Sequence, residues 1–223
     1  MVAASSKLNP GDSPEPAAAS AGEIRPPRGQ RAFDLLLATP LLLLLAPVFA
    51  ALAVWIRLDS RGPIFFLQQR IGRGGAPFMI FKFRTMVVDA ERAGAQLTIG
   101  RDPRITRAGH LLRRTRLDEL PQLLNVLRGE MSIVGPRPEV PRYVALYSEA
   151  QRAILALRPG ITSPASIRFR NESDLLAGSP DPEALYRNEI LPAKLSEDLA
   201  YARRATLRTD LGLLFQTLSR MLS

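Results

Sequence analysis

Leu35-Leu-Leu-Ala-Thr-Pro40-Leu-Leu-Leu-Leu-Leu-Ala46-Pro47-Val-Phe-Ala-Ala-Leu-Ala-Val-Trp55-Ile56 carries no charged residue from end to end. As one straight helix it would be about 33 Å long, close to the roughly 30 Å hydrocarbon core of a bilayer. A simple transmembrane span is the first reading, and two features oppose it. Pro47, and less centrally Pro40, each remove an intrahelical donor and crowd the preceding turn, so a bend is expected near the middle. Arg25, Arg28 and Arg31 precede the stretch while Arg57 and Arg61 follow it, and the positive-inside rule then puts both ends on the cytoplasmic side. Each half, Leu35 to Ala46 and Pro47 to Ile56, would be only about 15–18 Å long, too short to cross. The preferred reading is a re-entrant helical hairpin over 31–57, broken at Pro47. A kinked span and the buried core helix of a soluble protein are the alternatives. Trp55, beside Arg57, suits an interfacial anchor or ordinary packing.

Working outward, the whole chain has 223 residues and 24.5 kDa, enough for one ordinary domain with little room for two. Its 46% hydrophobic and 23% charged residues are near globular averages, against both wholesale disorder and a polytopic bundle. The formal net charge is +9, almost all from arginine because Lys7, Lys82 and Lys194 are the only lysines. Such a balance implies an anionic partner: nucleic acid, an acidic membrane surface or a phosphate-bearing substrate. Without cysteine, disulfides, thiolate metal sites and a cysteine nucleophile are excluded. With His110 alone, so is a zinc site built on several imidazoles.

Before the apolar stretch, residues 1–30 are rich in Pro, Ala and Ser without hydrophobic periodicity. That predicts a disordered tail and not a signal peptide. The remainder, 31–223, reads as a single domain. Asp59-Ser-Arg-Gly62-Pro63 is a turn cluster, and the runs Ile64–Arg70 and Phe78–Met86 predict a β-hairpin around Gly72-Arg-Gly74-Gly75. That glycine loop lacks the lysine and the strand-to-helix setting of a phosphate-binding P-loop. Helix is predicted for Asp89 to Leu97, for Ala108 to Arg114, and from Leu117 to Leu127, where leucines recur at helical spacing until Gly129 stops them. The alternating prolines of Val134-Gly-Pro136-Arg137-Pro138-Glu-Val-Pro141 exclude regular structure. Beyond them, Arg142 to Leu157 reads as helix and Ile161 to Arg170 as extended. A polar loop then runs to Pro182, and amphipathic helices follow at about 182–204 and 208–222.

Asp118-Glu119 stands at the start of the leucine-spaced helix. Consecutive carboxylates there can simply complement the helix dipole and its free N–H groups. The alternative gives one carboxylate to nucleophilic or base chemistry and the other to a divalent cation, since Mg2+ favours few carboxylates plus substrate phosphates. The surrounding arginines favour the second. Arg101, Arg104, Arg107, Arg113, Arg114 and Arg116 face only one acid, Asp102, within 101–116, although a solvated basic face would look the same. Arg137, held between prolines, suits bidentate phosphate recognition. Lys82 and Arg84 are two residues apart on a strand and so share a face. His110 reads as a structural or surface histidine.

These residues fall in a pattern. Arg31-Ala-Phe-Asp34, Phe81-Lys-Phe-Arg-Thr-Met86, Asp102-Pro-Arg-Ile-Thr106, Leu117-Asp-Glu-Leu-Pro-Gln122, Asn125-Val126, Gly129-Glu-Met-Ser132, Val134-Gly-Pro-Arg-Pro138 and Arg158-Pro-Gly-Ile-Thr162 occur in one order along the chain. From about Arg31 to the end the sequence resembles the bacterial sugar transferases, the monotopic phosphoglycosyl transferases that start polysaccharide assembly on a polyprenyl phosphate. The resemblance implies an α+β, mostly helical monotopic membrane domain with a re-entrant N-terminal hairpin, a small β-hairpin and amphipathic interfacial helices. It would sit at the cytoplasmic face of a bacterial inner membrane.

The same resemblance implies the chemistry. Asp118 would be the nucleophile toward a UDP-sugar, releasing UMP and leaving a covalent phosphosugar that polyprenyl phosphate then takes up, a ping-pong scheme. Glu119 would coordinate Mg2+, while Lys82, Arg84, Arg113 and Arg137 would hold phosphate or nucleotide, with Asp198 a further candidate. The partners implied are UDP-sugar, polyprenyl phosphate and the phospholipid bilayer, without nucleic acid, and a homodimer is compatible. The chain is expected to be the catalytic form alone behind a disordered tail. Two departures from relatives stand out. Ala46-Pro47 replaces a frequent Ser-Pro, so the kink rests on proline alone. Ser163-Pro-Ala-Ser-Ile-Arg168 replaces a frequent Gly-Trp-Ala-Gln, which bears on the sugar or nucleotide preferred.

Two other classes compete. A membrane-tethered basic nucleic-acid-binding module fits the pI, but it would need a recognition helix or stacking platform, and no such motif is present among the 6% aromatic residues. A non-catalytic scaffold for polysaccharide assembly is opposed by the intact Asp118-Glu119 pair.

Overall fold

The computed structural model describes residues 24–90, 97–100 and 102–222. The expected helix from Asp89 to Leu97 and Arg101 fall mostly or wholly outside these, as does nearly all of the expected tail. What is described is a mixed, helix-rich fold with two small sheets.

Helix α1 runs unbroken over Gln30–Asp59, with Pro40 and Pro47 inside it. The sequence predicts two short helices, and the structure gives one. Each proline withholds a single donor, from the carbonyls of Leu36 and Leu43. The leucines and alanines around them favour helix strongly enough to carry it through. Its buried residues lie at the two ends: Gln30, Asp34 and Ala38 on successive turns, then Leu52 and Ile56. Between them Leu43 and Leu44 are more than 70% exposed.

The two ends dock on one body. Near the N-terminus Ala38 joins a core of Ile80, Leu123, Val126, Met131, Ile133 and Tyr201. Near the C-terminus Leu52 and Ile56 pack with Phe83 and Leu112.

Strands β1 (Phe65–Ile71) and β2 (Pro77–Phe83) form the expected antiparallel hairpin, with Phe66 opposite Lys82 and Phe65 opposite Phe83. β2 ends three residues sooner than predicted. Helix α2 (Arg107–Arg114) is capped by the Thr106 side chain, which accepts from Gly109 N. Gly109 passes so close to Thr85 that a Cβ there would lie 2.0 Å from the Thr85 carbonyl oxygen.

The leucine-spaced helix divides into a 3-10 turn, Leu117–Glu119, and α3 (Gln122–Arg128), because Pro121 cannot supply an intrahelical N–H. As expected, Gly129 ends α3, in the left-handed region at φ 80°. Strand β3 (Ser132–Val134) pairs in parallel with β4 (Gly160–Thr162). Gly135 and Gly160 meet so closely beside this pair that a Cβ on Gly160 would lie 2.1 Å from Gly135 N.

The predicted 142–157 helix is instead three short pieces: α4 (Pro141–Val144), α5 (Glu149–Arg152) with a capping box from Ser148 and Gln151, and a 3-10 turn, Ala153–Ala156. Ser148 starts a new helix because its side chain caps one. Where an extended run and a polar loop were expected, α6 (Pro164–Arg168) and α7 (Glu172–Ala177) form. Ser163 caps α6 and Pro164 opens it, a start signal hidden within a strand-like composition. Helix α8 (Pro182–Leu185), a π-helical turn at Tyr186–Ile190 and α9 (Leu191–Ala202) follow without a gap. Helix α10 (Leu207–Leu222) completes the described chain.

Candidate active site

Arg116 takes a left-handed backbone, φ 59°, and turns the chain from α2 into the 3-10 turn that carries Asp118 and Glu119. Both carboxylates are at most 9% exposed, yet both line an open cleft of about 920 Å³. The cleft's wall also includes Lys82, Arg104, Arg113, Arg114, Arg116 and Arg137.

Glu119 is held by two cations from distant parts of the chain. Lys82 Nζ donates to Oε1 at 2.7 Å. Arg137 Nη2 donates to Oε1 at 2.6 Å, and Nη1 reaches Oε2 at 3.3 Å. Burial alone would push the Glu119 carboxyl up, but the charges and hydrogen bonds of Arg137 and Lys82 outweigh it and hold it well below the usual range. Asp118 goes the other way. Burial and the neighbouring Glu119 charge raise it, while Lys82, Arg113 and Arg116 pull it partly back. One of its oxygens, Oδ1, is buried without a hydrogen-bond partner. The adjacent acids are therefore unequal: Glu119 is paired with two cations, and Asp118 is left with a bare oxygen.

The scaffold around Glu119 explains how the cations arrive. Asn125 of α3, fully buried, accepts from Phe81 N at 2.9 Å and donates to the Met79 carbonyl at 2.8 Å, fixing the strand that bears Lys82. Arg137 is fixed through its backbone. Asp198 accepts from Arg137 N and, through its other oxygen, from Ala165 N, each at 3.1 Å. Burial pushes Asp198 up to about 6 against these two N–H bonds. Just past Arg137, Glu139 accepts from Tyr186 Oη at 2.6 Å and Lys194 Nζ at 3.2 Å, and Arg70 donates to the Pro138 carbonyl at 3.0 Å.

Of the predicted site residues, Asp118, Glu119, Lys82, Arg113 and Arg137 meet in one cleft. Arg113 Nε donates to Thr85 Oγ1 at 3.0 Å, and burial lowers its pKa against the charge of Asp118. Asp198 spends both oxygens on backbone N–H groups, so it orients Arg137 from behind. Arg84 borders the cleft but its guanidinium turns to the end of α1. It donates to the carbonyls of Ser60 (2.6 Å), Arg61 (2.8 Å) and Ile56 (3.3 Å) and to Ser60 Oγ (2.9 Å). Because β2 ends at Phe83, the alternation that would align Arg84 with Lys82 stops before Arg84. His110 also lines the cleft. Pro47 lies within α1, far along the chain from every residue that contacts Glu119.

Sequence reasoning missed the two clasps on α1. Arg31 donates from Nη1 to the Val126 carbonyl and from Nη2 to the Leu127 carbonyl at 2.8 Å, capping the C-terminus of α3. Asp59 accepts from Ala108 N at 3.0 Å, at the start of α2. Asp34 accepts from Ser132 Oγ at 2.8 Å and Ile133 N at 2.9 Å. The available signal was the charge placed immediately at either end of an apolar helix.

The site is thus a buried acid pair, one member held by an arginine and a lysine, in a basic cleft of a fold that also carries a long apolar helix. The chain belongs to the bacterial sugar transferase family, whose sequence profile matches residues 27–223. Over 199 residues it is 42% identical to the undecaprenyl-phosphate glucose phosphotransferase of Komagataeibacter xylinus, covering 86% of this chain and 35% of the relative. It is 34% identical over 197 residues to the UDP-N-acetylgalactosamine-undecaprenyl-phosphate N-acetylgalactosaminephosphotransferase of Aeromonas hydrophila, covering 87% and 44%. The exopolysaccharide production protein PSS of Rhizobium leguminosarum bv. phaseoli is 41% identical over 197 residues, with 84% of this chain and 92% of that protein aligned. The chain thus spans less than half the length of the first two relatives and nearly all of the third.

Proposed function

We propose that the protein transfers a phosphosugar from a UDP-sugar to polyprenyl phosphate, with Asp118 as nucleophile. The observation that carries this reading is the contrast within the pair: Glu119 Oε1 is held by Lys82 and Arg137, while Asp118 keeps a buried oxygen without a partner. An Asp118 oxygen attacks the sugar-bearing phosphorus of the donor. A bond forms between them, the bond to the bridging oxygen breaks, and UMP leaves with that oxygen. The acceptor's phosphate oxygen then attacks the same phosphorus, and the Asp118 carboxylate is released as polyprenyl-diphosphate-sugar forms. Lys82, Arg113 and Arg137 supply fixed positive charge where negative charge collects, at no reorganisation cost during the reaction.

Mg2+ fits this donor set in one form. Two adjacent carboxylates are too few for a protein cage, but Mg2+ commonly takes one or two carboxylates and completes its shell with phosphates and water. Glu119 Oε2, whose contact with Arg137 is the long one, is the oxygen suited to it. When bound, the metal would offset diphosphate charge.

The seating of α1 supports a monotopic arrangement at a bacterial inner membrane. The helix presents an apolar surface with mean hydropathy 2.5 over its best window. Arg31 and Asp34 at one end, and Ile56, Asp59 and Ser60 at the other, bind the same body. A helix that crossed would carry its ends to opposite sides. Immersed without crossing, α1 keeps the cleft on the cytoplasmic face, where soluble nucleotide sugars are. Exopolysaccharide synthesis fits the name of the relative PSS.

The test is UMP release by the purified chain in nanodiscs, first with UDP-glucose and UDP-N-acetylgalactosamine, whose sugars the relatives' names contain. Release that requires Asp118 supports the reading. Undiminished release by Asp118→Asn overturns it.

A further inference from the structure

Helix α9 carries two buried charges one turn apart, Lys194 and Asp198. Asp198 grips the N–H groups of Arg137 and Ala165, each at 3.1 Å. Lys194, four residues earlier and so on the same helix face, ties the same two chain segments together through their acids. Its Nζ donates to Glu139 Oε1 at 3.2 Å and to Glu172 Oε2 at 2.9 Å. Glu139 lies two residues beyond Arg137, and Glu172 seven beyond Ala165. The α9 face therefore seats Glu172 beside the segment that bears Arg137.

Glu172 is held in place without being fully used. It lines the cleft together with Asp118, Glu119 and Arg137, and its side chain is 28% exposed where that of Lys194 is 8%. Among the described residues Lys194 is its one hydrogen-bond partner, through Oε2 alone, so Oε1 is left to accept from another group. Lys194 keeps Glu139 as a second anion whatever Glu172 does. The charge of Glu119 first, and after it that of Glu172 ahead of Glu139, raises Arg137 above its ordinary range, in accord with a carboxylate close to that guanidinium.

We propose that Glu172 accepts a hydrogen bond from a hydroxyl group of the nucleotide-sugar donor and thereby sets which donor is preferred. This rests on the phosphosugar-transfer reading above. A carboxylate cannot face the donor's diphosphate, because like charges repel most strongly where water is scarce. It suits a neutral part that offers O–H donors, and the donor has two such parts, the hexose and the ribose, one on each side of the diphosphate. The lipid acceptor has no hydroxyl outside its phosphate. Arg137 connects the two sites, since its guanidinium bonds Glu119 and its segment is tied through Glu139 and Lys194 to Glu172. A diphosphate held at Arg137 then has one flanking sugar within reach of Glu172. A donor lacking the matching hydroxyl would leave this carboxylate oxygen unpaired against the bound substrate, which is how a polar site rejects an analogue.

The test removes the two partners separately and together. Wild type and Glu172→Ala are compared in nanodiscs by kcat/KM for UMP release. The donors are UDP-glucose, or whichever UDP-sugar the screen identifies, and its analogues singly deoxygenated at each hexose or ribose hydroxyl. Wild type should lose about ten- to hundredfold on one of these analogues, the scale of a hydrogen bond to a charged group. Glu172→Ala should lose about as much on the intact donor and nothing further on that analogue. A deoxyhexose with this pattern puts the contact on the transferred sugar, and a deoxyribose puts it on the nucleotide. The KM for undecaprenyl phosphate should stay within about twofold of wild type, as for an independent site. Glu172→Gln, which keeps an oxygen acceptor, should recover part of the discrimination, and it carries the comparison if Glu172→Ala does not fold. Losses that multiply on every analogue overturn the proposal. So does a shift in the Mg2+ concentration for half-maximal release with donor preference unchanged, which would make Glu172 a metal ligand. A wild type that releases no UMP from any UDP-sugar would remove the phosphosugar-transfer reading itself, and this proposal with it.

Discussion

Lys82 Nζ lies 2.7 Å from Glu119 Oε1, so the β-hairpin and the turn before α3 are joined at the site by a charged hydrogen bond. Arg137 Nη2 donates to the same oxygen at 2.6 Å. Glu119 is thus the common anion of two elements that would otherwise repel one another, and its neighbour Asp118 keeps one oxygen without a hydrogen-bond partner.

Replacing that anion should be felt in stability as well as rate. Glu119→Gln strands two cations. A fully buried pair broken this way costs about 3–5 kcal/mol, and the partial exposure of Lys82 and Arg137 reduces this to roughly 2 kcal/mol. At about 2–4 °C per kcal/mol, Tm should fall by roughly 4–8 °C. Differential scanning fluorimetry in detergent measures it. An unchanged Tm would mean that the bonds to Glu119 are not formed in solution.

Arg84 and Arg113 should separate cleanly. Arg84 donates four hydrogen bonds at the end of α1. Arg84→Met should therefore lower stability by about 2–3 kcal/mol, the scale for bonds to a charged group, while the folded fraction keeps its donor KM. Arg113→Met should do the reverse, lowering turnover about 10²-fold with little change in Tm. Thermal melts beside kinetics on the same samples decide it, and a swapped pattern would reverse the two assignments.

Asp210 supplies a pH test remote from the chemistry. It is fully buried, accepts from Tyr201 Oη at 2.6 Å, and burial pushes it up to about 6. Because its folded pKa is raised, the folded state holds the proton more tightly than the unfolded chain. The resulting stabilisation is complete below pH 3.8 and is lost as pH rises through about 6. Asp210→Asn keeps the acceptor for Tyr201 without the charge. It should raise stability at pH 7 by about 1–3 kcal/mol and flatten the loss between pH 4 and 7. Equal pH slopes in the variant and wild type would refute this.

Asp118 is also raised, by burial and by Glu119, and as a nucleophile it must be ionised. The acceptor-free UMP burst should accordingly fall as pH drops, with an apparent pKa above the ordinary 3.8 for aspartate. Stopped-flow or quench measurements across pH 4–8 would show it. A burst that is flat down to the ordinary aspartate range would contradict the environment assigned to Asp118.

Much of this site was legible in the sequence because it is local. Asp118-Glu119, the hairpin register that brings Lys82 inward, and the Gly129 stop all follow from neighbours in the chain. What was not legible depends on contacts between distant segments. Arg137 was singled out for its flanking prolines, but its convergence on Glu119 depends on Asp198, 61 positions away, gripping its backbone N–H. Arg84 was misaligned because alternation along a strand predicts a face only while the strand lasts, and β2 ends one residue earlier. The helix expected over 142–157 is divided because the Ser148 side chain caps a new helix within it. In α1, helical backbone continues through Pro40 and Pro47, where the sequence alone predicts a break at Pro47.

The account turns on a covalent bond to Asp118, and intact-protein mass spectrometry tests it most directly. The full chain in nanodiscs is incubated with the UDP-sugar that supports UMP release, without lipid acceptor, then quenched and weighed. The predicted result is a mass gain equal to one phosphosugar, mapped by peptide analysis to the segment containing Asp118, absent in Asp118→Asn and discharged by polyprenyl phosphate. Turnover with acceptor present but no adduct at any time, or an adduct that persists in Asp118→Asn, would contradict it.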